Sequence, residues 1–374
     1  MNERERYLET MLFGKPDKVP FKPGNAREST IKNWNTQGLP ENKNYIDFAR
    51  EKLGIEPQPK FTKADIWAEE RMIPEFEEKV IEKKDRSQIV QDWKGNICEI
   101  SNDFTIAHLR DPIDFVTRSW LKCPVESRAD WEAMKLRYNP NEPSRIPENI
   151  KEEGKKAQNR DYVLGFEFSG PFWQLREWLG FEKLCMLFIE DPDFVKDMVI
   201  FWKDYVSALL EKVVPYVKLD YVHISEDMAY KQKAMISPAM TREFLSPCYS
   251  QWNEIIKASG CPVYGVDSDG YIAELIPVWI ECGINECDPM EIAAGCDMNK
   301  FRQMFGKKMA YTGGVDKRAM AKGGKIIQDE IQNLIPVIKD GGFIPSCDHG
   351  IPNDVNWKEF LEYCGLLAKA TGWK

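Results

Sequence analysis

The chain has 374 residues, 43% hydrophobic and 30% charged, with a net charge of −9. That balance supports a substantial core. The acidity argues against nucleic acid and anionic membranes as partners, since phosphate recognition relies on clustered Lys and Arg. No stretch approaches the ~20 apolar residues of a membrane helix, and charges interrupt the opening MNERERYLETMLFGKPDKVP too often for a secretory segment. A cytoplasmic protein is expected. The ten cysteines lie scattered without a C-x-x-C pair, as reduced thiols would.

Residues 3–13 read as an amphipathic helix ended by Gly14 and Pro16, and KVPFKPG (18–24) as a first strand. Residues 40–120 are less regular. Within them EEKVIEKKDRSQIVQDWKGNICEIS, with a turn at Lys94-Gly95, predicts a β-hairpin or small meander. From about residue 160 strands and helices alternate. DYVLGFEFSGP is a strand, followed by two helices with Asp191-Pro192-Asp193 as the start of the second. LDYVHISED is the next strand, and Ser237 and Pro238 open the helix after it. CPVYGVDSDG, INECDPM, MAYTGGVD and FIPSCDHGIP continue the strands, each followed by a helical stretch.

A βα repeat of this length implies a parallel sheet. With KVPFKPG, roughly eight strand candidates can be counted. Glu167, His223, Glu226, Asp267, Asp269, Glu286, Asp288, Asp316, Cys347 and His349 all fall at or just beyond strand carboxyl ends. A closed barrel gathers those ends at one mouth, whereas an open sheet spreads them along a rim. No G-x-G-x-x-G follows a strand. The expected fold is therefore α/β, a (β/α)8 TIM barrel forming a single domain over residues 1–374. Residues 1–120 carry the N-terminal helix, the first strand and the β-hairpin or meander.

The candidate site residues follow from the strand ends. Asp267 and Asp269 share a face if the strand continues, and two such carboxylates call for a metal, a protonated base or a shared proton between them. The structural alternative is that one caps a helix at 271. Cys347 and His349 offer a thiolate and an imidazole, the usual soft zinc ligands; otherwise they are a buried thiol and an imidazole bonded to a backbone carbonyl. His223 and Glu226 are catalytic candidates, because an enclosed carboxylate has a raised pKa and passes protons near neutrality. The alternative for Glu226 is a salt bridge to Lys231 or Arg242. Glu167 is a third catalytic candidate. Phe172 and Trp173 just after it, with Tyr230, are candidates for binding a flat organic substrate, or else pack as an ordinary loop.

Five blocks in order carry a resemblance to the uroporphyrinogen decarboxylase superfamily, which includes methyltransferases that work with corrinoid proteins. They are NERERYLETMLFGKPDKVPF, HISEDMAYKQKAMISPAMTREFLSPCY, VDSDGYIAELIP, TGGVDKRAM and GGFIPSCDHGIPNDVNW. The resemblance runs nearly end to end and implies a (β/α)8 barrel. The arginine-rich segment with which the decarboxylases grip porphyrinogen carboxylates is missing. KPGNAREST stands in its place, with Arg27 its only cation after Lys22. The thiol-directed methyltransferases of the superfamily bind zinc through a His-x-Cys pair and a later Cys. Asp267 and Asp269 occupy the positions of that pair and His349 that of the later ligand, with Cys347 two residues before it.

The resemblance thus implies a zinc site richer in oxygen donors, suited to an oxygen leaving group, as in O-demethylation. The expected function is transfer of a methyl group from a small methylated substrate, such as an aryl methyl ether, to the corrinoid of a partner protein. The alternatives are a decarboxylase of a tetrapyrrole or other carboxylate and a non-catalytic corrinoid- or tetrapyrrole-binding barrel.

Overall fold

The computed structural model of the protein describes residues 1–110, 114 and 116–374. The irregular N-terminal region forms a four-stranded antiparallel meander, β1 Lys79–Lys83, β2 Ser87–Gln91, β3 Ile97–Ser101 and β4 Arg118–Lys122, paired in sequence order. Gln88, Val90, Cys98 and Ile100 are its buried residues, while both edge strands are exposed almost throughout.

The βα alternation folds as a TIM barrel. Six strands, β5 Gly165–Ser169, β6 Tyr221–Ser225, β7 Val263–Asp267, β8 Glu286–Asp288, β9 Ala310–Val315 and β10 Phe343–Cys347, pair in parallel in chain order. Alternation along each strand sorts the side chains. Phe166, Phe168, Val222 and Ile224 are buried toward the helical layer, while Glu167, His223 and Glu286 stand in register on the opposite, concave face. The predicted helix starts are present. Asp191 accepts from Phe194 N at 3.2 Å, and the Ser237 hydroxyl from Met240 N at 3.2 Å. Helix 192–213 buries Trp202, Leu209, Leu210 and Val213 completely.

KVPFKPG does not join the sheet as a strand. Pro20 and Pro23 lack the N–H groups a ladder requires, so the segment forms no ladder, and a parallel bridge between Ala26 and Ile351 follows it at the end of the sheet. Ile351 N donates to Asn25 O at 2.7 Å. At the other edge the Glu70 carboxylate accepts from Ser169 N at 2.9 Å and Ser169 Oγ at 3.0 Å. The ring is thus completed by laddered strands on one side and by proline-interrupted chain on the other. Lys22, from that chain, reaches the same lumen as Glu286, Asp288 and Glu167. Lys22 is exposed to solvent, yet the surrounding protein desolvates it enough to lower its pKa, against the pull of those carboxylates.

All ten cysteines are free thiols. Among the described residues no helix is long and apolar enough to cross a membrane.

Candidate active site in the barrel lumen

The lumen is built on three adjacent strands. From β6, His223 Nε2 lies 2.9 Å from Asp288 Oδ1 and 3.6 Å from Glu286 Oε2, both on β8. These side chains meet across β7 because residue 265 between them is glycine. A Cβ there would sit 2.3 Å from Glu286 Oε2 and 2.5 Å from His223 Cδ2. Asp267 pairs in register with Asp288 and faces the same cluster. Glu167 accepts from the Tyr221 hydroxyl at 3.3 Å.

Desolvation lowers the His223 pKa, and the carboxylates of Asp288, Glu286 and Asp267 more than reverse this, to about 10. Glu286 is pushed up to about 8 by burial and by Asp288, against the effect of His223. Asp267 is raised well above the carboxylate range, first by burial and then by Asp288.

Nearer the mouth, Asp269 and His349 form an ion pair with Nε2 and Oδ1 3.0 Å apart. Desolvation lowers the His349 pKa, and the carboxylates of Asp269 and Asp348 beside it outweigh this, to about 9. Asp348, fully buried, accepts from Ile292 N at 3.0 Å and Lys317 N at 3.3 Å and stands 3.8 Å from His349 Nδ1. It fixes the turn that presents His349. Next to this pair, Asp227 adopts a left-handed conformation at φ 45° and binds Arg176 at 3.0 Å. The Arg176 guanidinium stacks on Trp173 at 4.3 Å.

The four residues expected to share a metal separate. Asp267 turns into the lumen and Asp269 out to His349, because β7 ends at Asp267 and strand alternation no longer governs residue 269. Neither caps a helix at 271; the following helix begins at Ile276. Cys347 pairs in register with Val315, three residues beyond Thr312, whose side chain bonds Glu286 in the lumen. The pleat therefore sends Cys347 to the helix-facing side, where burial raises its thiol to about 12 and Gly24 packs on its Cβ. Among the described residues only His223, Glu286 and Asp288 bring three ligand atoms within 4.8 Å of one another. The mouth set does not fit a zinc ion.

Glu226 is also redirected. It is fully buried, accepts from Trp173 N at 2.9 Å and from the Tyr249 hydroxyl, and is raised to about 8, mainly by burial. It thereby anchors the first turn of helix 171–179. Arg242 pairs instead with Glu281 at 2.7 Å. Phe172 is a fully buried core residue. Tyr230 is 53% exposed and packs on Phe181, so neither lines the lumen.

Trp173 does line a cavity of about 100 Å³ beside the mouth, with Glu70, Trp93, Lys94, Glu177 and Ser169. Glu70, raised by burial to about 7, comes from the irregular stretch where the sequence has no periodic signal. Glu286 and Asp288 had a signal, acids two apart in a short apolar strand, but not one that tells lumen from rim.

A parallel barrel whose ionisable groups gather within and above the carboxyl ends of its strands is the architecture of a barrel enzyme. The uroporphyrinogen decarboxylase (URO-D) family matches residues 116–364, and the chain belongs to that family. Among solved structures it is similar to a methyltransferase from Methanosarcina mazei, with 12% identity, a TM-score of 0.55 and 99% of each chain covered. It is less similar to a B12-independent methionine synthase from Shewanella sp. W3-18-1 in complex with selenomethionine, with 12% identity, a TM-score of 0.38, and 60% of this chain and 64% of that one covered. No curated protein sequence matches.

Proposed function

We propose that the protein removes a methyl group from a small methylated substrate, such as an aryl methyl ether, and passes it to the corrinoid of a partner protein. The charge of the lumen carries this reading. Glu167, Asp267, Glu286 and Asp288 face it, against Lys22 and His223 as cations. A porphyrinogen bearing eight carboxylates would find there only Lys22 and His223 as cations, both already facing these acids, whereas a neutral methyl donor needs no such partners. The resemblance to corrinoid-linked methyltransferases, and the likeness to the methyltransferase from Methanosarcina mazei, support the same reading.

The reduced corrinoid supplies the nucleophile. The chain's own residues bind the donor, exclude water and manage charge on the departing heteroatom. His349 is the residue for that last task. Its Nε2 proton is shared with Asp269, it is held protonated at neutral pH, and it stands at the mouth. A cation beside a developing phenolate lowers the barrier. Arg176, stacked on Trp173, shapes the entrance from the other side.

The test is methyl transfer to a reduced corrinoid from a panel of methoxyarenes and methylamines. The wild type should transfer from at least one donor, and His349→Ala should slow it by roughly 100-fold. Absence of transfer from every donor, or release of CO2 from uroporphyrinogen, overturns the reading.

A further inference from the structure

We propose that His223, Glu286, Asp288 and Asp267 form a site for one divalent first-row metal ion inside the barrel, one layer in from the mouth. The site is distinct from the Asp269–His349 pair, and it does not depend on the methyl-transfer reading.

Three observations carry the proposal. The first is donor geometry. The His223 nitrogen lies 2.9 Å and 3.6 Å from oxygens of Asp288 and Glu286. Metal–ligand bonds of ~2.1 Å place neighbouring donors ~3.0 Å apart in an octahedral site and ~3.4 Å apart in a tetrahedral one. An ion therefore seats with shifts of a few tenths of an ångström, displacing the Nε2 proton. The second is Asp267. Its carboxylate faces Asp288 and His223 in an enclosed position and accepts no hydrogen bond among the described residues. An enclosed carboxylate without a donor is costly unless a cation answers it. The third is charge. With the imidazole neutral, the carboxylates of Asp267, Glu286 and Asp288 have, among the described residues, the Lys22 ammonium as their facing cation, and a divalent ion cancels the remainder.

Gly265 makes the arrangement feasible, since any side chain there would fill the space between the ligands from β6 and β8. One imidazole nitrogen with carboxylate oxygens suits Zn²⁺, Fe²⁺, Co²⁺ or Mn²⁺ rather than a thiophilic ion. Solvent reaches Asp288, whose side chain is 29% exposed, so a coordination position remains for water or substrate.

The experiment strips the full-length protein with chelator and titrates it with Co²⁺, followed by its visible absorption, and with Zn²⁺, followed by competition with a chromogenic chelator. One equivalent should bind. His223→Ala and Asp288→Asn should weaken binding at least ~100-fold, while Asp269→Asn and His349→Ala change it less than ~3-fold. The near-isosteric Glu286→Gln serves if His223→Ala fails to fold, with cooperative melting as the check on each variant. Absence of stoichiometric binding overturns the proposal. So does loss of binding in the Asp269 and His349 variants with binding retained in the His223, Glu286 and Asp288 variants.

Discussion

At Gly265 one missing methyl group decides what the lumen contains. A Cβ would press on both Glu286 Oε2 and the His223 ring, and neither can retreat without leaving the other. Gly265→Ala is therefore expected to destabilise the protein by roughly 1–3 kcal/mol, the usual cost of overpacking. In metal-free protein it should also release His223 from its carboxylates, so that the imidazole titrates below its value of about 10 and nearer the ordinary ~6.5. With three histidines in the chain, NMR titration can follow this directly. An unchanged denaturation midpoint and an unchanged His223 titration would show that the contact is not formed. At this scale the sequence was partly legible. Strand ends pointed to His223, Asp267, Asp269 and His349 as functional, but not to which of them meet. That depends on where β7 stops and on a glycine in the middle strand, and neither leaves a mark in residue periodicity.

Elements join where β6 turns outward and helix 171–179 begins. Glu226 at the end of β6 holds that helix start through Trp173 N and is itself tied by Tyr249. Gly170 leaves room for it, since a Cβ there would fall 2.1 Å from the Glu226 Cδ. Gly170→Ala should push the carboxylate off its donors, leaving a buried N–H unpaired, at a cost of about 2 kcal/mol or more. Glu226→Gln keeps the shape and an acceptor, so it should lose less. The urea midpoints of the two variants rank them, and a larger loss in Glu226→Gln would contradict the packing account. The same junction shows why the sequence misled about Glu226. A strand-end acid followed by a loop reads as a catalytic group turned inward, whereas here a helix N-terminus on the neighbouring unit captures it. The strands from residue 165 onward were readable because each is a short run of strand-forming residues between helical stretches, alternating in β5 and β6 and buried nearly throughout in β7, β9 and β10. KVPFKPG was not, because its prolines remove the ladder donors while its hydrophobic pattern still reads as a strand.

Two buried acids and one histidine hold protons to a higher pH in the folded molecule than in the unfolded chain. Glu70 is raised to about 7 and Glu226 to about 8, each mainly by burial. The folded protein keeps these protons above pH 4.5, where the unfolded chain releases them, so each group withdraws stability as pH climbs through 4.5 to 8. His349 is held protonated up to about 9. Its contribution is complete below the unfolded value near 6.5 and is lost as pH rises through 9. Asp17 works the other way. Its hydrogen bond to Arg6 holds it well below the usual carboxylate range, and its contribution fades only as pH falls below ~4. Stability should therefore peak on the acid side of neutrality, between about pH 4 and 5, and fall continuously from there to pH 9. Denaturant unfolding of metal-free protein at half-unit steps from pH 4.5 to 9.5 measures this curve. Glu226→Gln should flatten its middle and His349→Ala its alkaline limb. A wild-type curve that is level or rises from pH 6 to 9 would mean that these groups reach water in the folded state, and that the enclosure on which the proton-holding role of His349 rests is absent.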